Sequence, residues 1–310
     1  MKPIVLSPHN PMTGPRHLGH FVSTMADWPR LQGGNELFIV IDDLIAALLY
    51  PAGRSELAGR TLQVVRECIA TGIDTTRNHI VLTSMLPEVH ELTFFTSTAM
   101  EHCWCKELYD ESFAGILDSY QRRELRLPRM SSLAEVTYPQ LHLATLTLGI
   151  GADYFQGGEE MRGYLVIMES IAQAFTDGAL RAPQFLPGNT TFLMGTDGRH
   201  MASENALYLS ASDDETAADL AKVSSVDILA QWAEALGAKF TNQELNIRSA
   251  RENITSLLNE QLGRFRTAMI ANDEVANVLE RSALAARERL RTTAIKLKQK
   301  FGIPGYAAAS

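Results

Sequence analysis

A short, wholly apolar run stops at a loop of proline, glycine and histidine, and the chain then passes at once into a helical pattern. Ile4, Val5 and Leu6 form the run, residues 7–16 the loop, and the helix begins near His17 and extends to about residue 31. Leu37, Phe38, Ile39, Val40 and Ile41 make a second such run, ending in Asp42 and Asp43, and residues 80–83 make a third. Between them, residues 55–71 carry Leu57, Leu62, Val65 and Ile69 at helical spacing. Runs apolar at every position suit strands buried on both faces of a parallel sheet. The order βαβαβ predicts an α/β fold, a Rossmann-like doubly wound parallel sheet. The pattern continues with helices over residues 99–120, 136–147 and 161–175 and strands over 152–156 and 189–194. Beyond Asp213 the strand signal vanishes and the chain reads as helical to about residue 301, a small all-α domain. The expected division is a first domain over residues 1–200, closing with the loop 195–210, and a C-terminal helical domain over residues 211–310.

At 310 residues and 45% hydrophobic content the chain can bury a substantial core. Its formal charge of -8 repels nucleic acid as a whole, so any RNA contact has to come from a local basic patch. The final helix offers one: Arg281, Arg287, Arg289, Arg291, Lys296, Lys298 and Lys300 read either as a solvated face or as an RNA contact. Residues 121–130 form a second basic stretch that reads as a mobile loop. Cys68, Cys103 and Cys105 make no metal-ligand array, and Cys103 and Cys105 read as packing. Reduced thiols and the lack of an apolar run of about 18 residues predict a cytoplasmic protein with neither membrane nor DNA as partner.

The strongest chemical signal is Pro11-Met12-Thr13-Gly14-Pro15-Arg16-His17-Leu18-Gly19-His20, set between the first strand and the first helix. A helix start presents free backbone N–H groups to phosphate, and Gly19 lets a ligand approach without a side chain intervening. His17 and His20 flank that gap and can donate hydrogen bonds to phosphate oxygens as charge builds in a transition state.

This segment resembles the HIGH signature of class I aminoacyl-tRNA synthetases, and further segments resemble the tryptophanyl branch. Val136-Thr137-Tyr138-Pro139-Gln140-Leu141 is similar to the opening of that family's amino-acid helix. Gly157-Gly158-Glu159-Glu160 and the following helix are similar to its Gly-Glu-Asp-Gln turn. Thr196-Asp197-Gly198-Arg199-His200-Met201 stands where the family carries its lysine-bearing second signature. The resemblance implies a catalytic first domain that uses ATP with Mg2+ and takes an amino acid, with tRNA as acceptor and a homodimer as the assembly. It assigns ATP contacts to Thr13, Gly14, His17, Gly19, His20, Gly158, Glu159 and Met201. Leu6, Asp43, Tyr138, His142, Thr145 and Met161 fall to the amino acid, with a satisfied core histidine as the other reading of His142. Catalysis falls to His17, His20, Arg199 and His200.

Three departures accompany the match. The loop His200-Met201-Ala202-Ser203-Glu204 holds no lysine, so two cations expected beside the leaving pyrophosphate are gone. Thr145 stands where tryptophanyl enzymes place the aspartate that accepts the indole N–H. The stretch from Asp219 to Thr241 is shorter than the family's. Three roles are therefore open: activation of tryptophan or a related amino acid with transfer to tRNA; a biosynthetic paralogue that uses a non-tRNA acceptor or takes charged tRNA as donor; and a non-catalytic regulatory or tRNA-sensing module.

Overall fold

The computed structural model describes residues 2–49, 53–100, 133–175, 178–188, 192–238, 246–267 and 272–304. β1 (Ile4–His9), β2 (Glu36–Ile41), β3 (His79–Leu82), β4 (Tyr154–Gly157) and β5 (Gln184–Pro187) form one parallel sheet in the order β3-β2-β1-β4-β5. Side chains alternate across a strand, and the two faces are cleanly divided. Val5, Leu37, Ile39, Ile41 and Ile80 enter one core, while Ile4, Leu6, Phe38, Val40, Val81 and Phe155 enter the other. The strand order reverses between β1 and β4, so the ligand crevice of such a sheet lies beyond their C-terminal ends.

The helices divide between the same two faces. α1 (Leu18–Ser23), α2 (Trp28–Leu31) and α4 (Arg54–Ala70) contribute to the first core, and α3 (Asp43–Leu49) follows β2 directly. α5 (Glu88–Ser97), α6 (Leu133–Ile150) and α7 (Gly163–Ala174) contribute to the second. The single helix expected from His17 to about residue 31 is in fact broken: Thr24 leaves helical geometry (φ -142°, ψ -49°), and Pro29 sits in the first turn of α2, where a missing N–H costs nothing.

Of the strand expected over 189–194, residues 189–191 lie outside the described residues and 192–194 are not part of the sheet. The fifth strand is Gln184–Pro187, a sheet edge with no fully buried position and therefore little apolar signal; its proline is tolerated because an edge need not donate on both sides. Met194 instead forms an isolated antiparallel bridge with His200, and one side-chain amide holds the stretch. Gln231 donates to the Phe192 carbonyl at 2.9 Å and accepts from the Met194 N–H at 2.8 Å. Cys103, Cys105, the basic stretch 121–130 and all but the first two residues of the helix expected over 99–120 lie outside the described residues.

The chain closes with α8 (Asp213–Lys222), α9 (Val226–Ala235), α10 (Ile247–Thr267) and α11 (Asn272–Lys300). The buried residues of α8, α9 and α10, among them Leu220, Leu229, Trp232, Ile254, Leu258 and Leu262, join the first core together with Val5 and Leu18, while α11 gives Val275, Val278 and Leu279 to the first core and Ala286, Leu290 and Leu297 to the second. α11 lies along the β3 edge. Its Ser282 hydroxyl accepts the Ile80 N–H at 3.1 Å, a group that no neighbouring strand could satisfy. Several of the basic residues of α11 are engaged with the rest of the fold, while Arg281, Lys296 and Lys300 are exposed. Arg287 and Arg291 both bind Glu88, Arg289 binds Glu36 at 2.7 Å and Lys298 binds Glu91 at 2.7 Å, so they dock the helix onto the α/β layers.

Candidate active site

The loop between β1 and α1 is held from beneath. Arg16 is 1% exposed and donates to the carbonyls of Asn10 (2.9 Å) and Gly14 (2.7 Å). Its backbone N–H donates to Glu67 on α4 at 2.8 Å, and Glu67 also accepts from Ser210 at 3.1 Å. A buried guanidinium and carboxylate thus fix the turn that delivers His17 to the start of α1. His17 donates its backbone N–H to His20 Nδ1 at 3.3 Å, and the two rings lie 3.8 Å apart. A Cβ built on Gly19 would meet His17 Cε1 at 2.9 Å, His17 Nδ1 at 3.0 Å and Met201 Sδ at 3.7 Å. Gly19 therefore lets the His17 ring and Met201 pack close against the α1 backbone, where the two signatures meet, and the buried His17 Nδ1 makes no hydrogen bond.

Burial, aided by the Arg16 charge, lowers His17 and His9 to about 3 and holds His20 well below its ordinary value. These rings are neutral at physiological pH, each with one N–H to donate and one lone pair to accept. His9, at the end of β1, stacks edge-on against Trp28 at 5.2 Å, and Trp28 donates to Gln156 on β4 at 2.9 Å.

The second loop folds back onto the first by backbone pairing. Leu18 donates to Leu207 and Leu209 donates to Arg16, both at 2.9 Å. Asn205 organises residues 195–205. It is 5% exposed; its amide donates to Asp197 (2.7 Å) and to the His200 carbonyl (3.1 Å), while its Oδ1 accepts the Ala202 N–H at 2.7 Å. Arg199 pairs with Asp197 at 2.6 Å, and the His200 ring lies 5.2 Å from that of the exposed Phe192. Met201 is buried and packs toward Gly19; His200 and Arg199 remain at the rim of the loop. Gly158 and Glu159 follow β4 on the other side of β1, where Glu159 forms an exposed ion pair with Arg162.

The residues expected to hold the amino acid separate into those at the strand ends and those used elsewhere. Leu6 is fully buried mid-strand in β1. Thr145 turns its hydroxyl to that of Thr96, 2.6 Å away, joining α6 to α5. Asp43 accepts from the backbone and hydroxyl of Ser84 and lies 2.9 Å from the Thr83 hydroxyl. Met161 closes over Gly157, where a Cβ would meet it at 2.8 Å. Tyr138 lies in α6 and Thr13 in a 3-10 turn, with both side chains outside the described part.

His142 is fully buried and faces Asp42, Nε2 to Oδ1 3.9 Å. Burial, with His90 nearby, lowers His142 to about 4, and burial raises Asp42 to about 7. Asp42, Arg16, Glu67, His9 and Asn205 are the residues that sequence reasoning left without a role. Asp42 alone carried a signal, as an acid ending an otherwise apolar strand. Among the described residues no group of histidine, cysteine or carboxylate side chains is gathered to hold a metal, and no helix is long and apolar enough to cross a membrane.

Comparison with known proteins agrees with this geometry. The chain is 26% identical over 316 residues to the tryptophan–tRNA ligase of Treponema pallidum, covering 96% of this chain and 86% of that one. It is 28% identical over 211 residues to that of Thermotoga maritima, covering 66% and 61%. A crystal structure of tryptophanyl-tRNA synthetase from Campylobacter jejuni, complexed with ADP and tryptophan, superposes with a TM-score of 0.79 at 17% identity, covering 97% of this chain and 100% of that one. That of the Mycoplasma pneumoniae enzyme gives 0.79 at 19%, with 98% of each chain covered. The family model for tRNA synthetases class I (W and Y) matches residues 5–286. With nine-tenths of its length matched and both signature regions meeting at the end of β1, the chain belongs to the class I tRNA synthetases of the tryptophan and tyrosine type, a family of ligases.

Proposed function

We propose that the protein activates an amino acid, tryptophan or a related aromatic one, with ATP to form an aminoacyl-adenylate and passes the aminoacyl group to tRNA. The observation that supports this reading is the meeting of the two signature regions at Gly19, where His17 and Met201 both close on the start of α1. ATP supplies the α-phosphorus for attack and pyrophosphate as leaving group. The chain's part is to place neutral His17 and His20 as donors toward developing negative charge and to shield the reacting groups from water with the docked second loop. Gly14, Gly158 and Glu159 are assigned to the rest of the nucleotide, which Mg2+ accompanies as counter-charge. The test is ATP–pyrophosphate exchange across the standard amino acids and aromatic analogues, with His17→Ala as control. Exchange lost in the control supports activation; no exchange from folded protein with any amino acid overturns it. Light scattering checks the homodimer that the resemblance implies.

A second reading is favoured by the second loop. Arg199 is committed to Asp197, and no lysine stands in residues 195–210 to follow the leaving group. Loss of such a charge-assisted contact is worth a few kcal/mol in a transition state. A paralogue that hands its amino acid to a small acceptor, or draws it from charged tRNA, tolerates slower activation. Exchange without aminoacylation of any tRNA in a total pool supports this second reading.

A further inference from the structure

The helix that carries His20 is short, and its far end is held by polar contacts that the apolar core does not require. α1 has six residues and buries Leu18, Phe21 and Val22 in the first core. Apolar burial is non-directional, so it fixes the distance of α1 from the sheet but not its tilt. The helix ends on the His20 carbonyl, which accepts from the Ser23 hydroxyl at 3.2 Å and from the Thr24 N–H and hydroxyl, both at 3.3 Å. Whatever grips residues 23 and 24 therefore grips His20.

Two groups from the sheet grip them. Gln156 on β4 is fully buried; its amide donates to the Thr24 carbonyl at 3.4 Å and accepts from the Trp28 indole N–H at 2.9 Å. Gly188, just beyond β5, lies so close to α1 that a Cβ there would collide with the Ser23 carbonyl, and its own N–H donates to the Gly157 carbonyl at 3.1 Å. A buried amide is unfavourable unless its donor and acceptor are both satisfied, and an apolar side chain would fill the same space without that cost. What the amide adds is direction, since a hydrogen bond weakens steeply as its angle departs from linear. Gln156 places one end on either side of the break at Thr24 that separates α1 from α2, and it stands two residues before Gly158 on the same strand.

We infer that Gln156 is a positioning residue for the activation step: by clamping the break between α1 and α2 to β4, it sets where His20 stands relative to the turn at Gly158 and Glu159. The inference rests on the reading of the chain as an amino-acid-activating enzyme. The first signature is then held twice, beneath its loop by Arg16 and Glu67 and at the end of its helix by Gln156. One helical turn rises only about 5.4 Å, so a shift at Thr24 reaches His20 almost undiminished. A displacement of about 1 Å costs about 100-fold in rate. Because His20 acts on charge that develops in the transition state, the loss falls on kcat rather than on KM.

The experiment is ATP–pyrophosphate exchange by the native chain and by Gln156→Met, which keeps the side-chain length and removes both hydrogen bonds. Ser282→Ala serves as a control for lost stability at a site away from the signatures, with melting followed by circular dichroism. Gln156→Met is expected to lower kcat about 10- to 100-fold while KM for ATP stays within about threefold, and Ser282→Ala to keep kcat within about twofold of native. The inference is overturned if Gln156→Met keeps the native kcat, or if Ser282→Ala loses as much activity as Gln156→Met. Should Gln156→Met fail to fold, Trp28→Phe, which removes the indole donor and keeps an aromatic ring, is expected to lower kcat at least about fivefold, and an unchanged kcat overturns the inference. Histidine-ring 1H–15N spectra judge positioning without turnover: Gln156→Met is expected to move the His20 resonances and to leave those of His79, at the opposite end of the sheet, in place. Normal exchange by the native protein with unmoved His20 resonances in the variant sinks the inference alone. No exchange by folded native protein, with His20 resonances moved in the variant, sinks the activation reading alone.

Discussion

Asn205 turns residues 195–205 into a closed unit, because one amide satisfies three groups of the same loop. Asn205→Ala removes all three bonds and opens a gap beside Gly195, whose position already leaves no room for a Cβ against Asn205. Pyrophosphate exchange is expected to fall about 10- to 100-fold as Met201 loses its fixed position, with faster proteolysis in the loop. Asn205→Asp is expected to be worse, since a second carboxylate would then face Asp197. Gly19→Ala gives a different signature. The atoms it meets belong to a side chain that can swing away, so the melting temperature moves little, while displacing His17 by about 1 Å costs about 100-fold in exchange. At this scale the sequence pointed to candidate site residues but not to what holds them. Gly19, His17 and Met201 belong to a contiguous pattern, whereas Glu67 and Asn205 act through contacts 51 residues away or across a turn that no periodicity reports.

At the scale of elements, α11 shows the same limit. Its helical repeat was legible, but the docking of Arg287, Arg289, Arg291 and Lys298 was not, because their partners Glu36, Glu88 and Glu91 lie about 200 to 250 residues earlier. Strands buried on both faces announced themselves through unbroken apolar runs; the edge strand Gln184–Pro187 did not, since an edge buries too little to need one. Three substitutions test how tightly α11 is seated. Ser282→Ala leaves the Ile80 N–H buried without an acceptor and is expected to lower stability in urea by about 1–3 kcal/mol. Gly149→Ala places a Cβ 2.8 Å from Leu290 and 2.9 Å from Leu92, where α5, α6 and α11 meet, and is expected to cost about 1–3 kcal/mol through overpacking. Glu91→Gln, at a half-exposed pair with Lys298, is expected to cost less than about 1 kcal/mol.

For the whole molecule, the arrangement of buried titratable groups makes stability depend on pH in one direction. His9, His17, His20 and His142 all have depressed values in the folded chain, chiefly through burial, while Asp42 and Glu67 are raised for the same reason. As pH falls below about 6.5 the unfolded chain protonates its histidines and the folded chain does not until about 4 for His142 and about 3 for His9 and His17. The unfolded state then binds more protons and stability falls. Asp42 and Glu67 act oppositely, taking up protons in the folded state above the range where the unfolded carboxyls do, but two carboxyls offset only part of four imidazoles. Each net proton contributes about 1.4 kcal/mol per pH unit, so a net of two predicts a loss of order 1–3 kcal/mol between pH 6 and 5, discounted for coupling within the cluster. Urea unfolding at pH 7, 6 and 5 measures this. His9→Asn, which removes one buried imidazole beside Trp28, is expected to flatten the slope by about one proton; an unchanged slope would mean that His9 titrates normally in the folded chain.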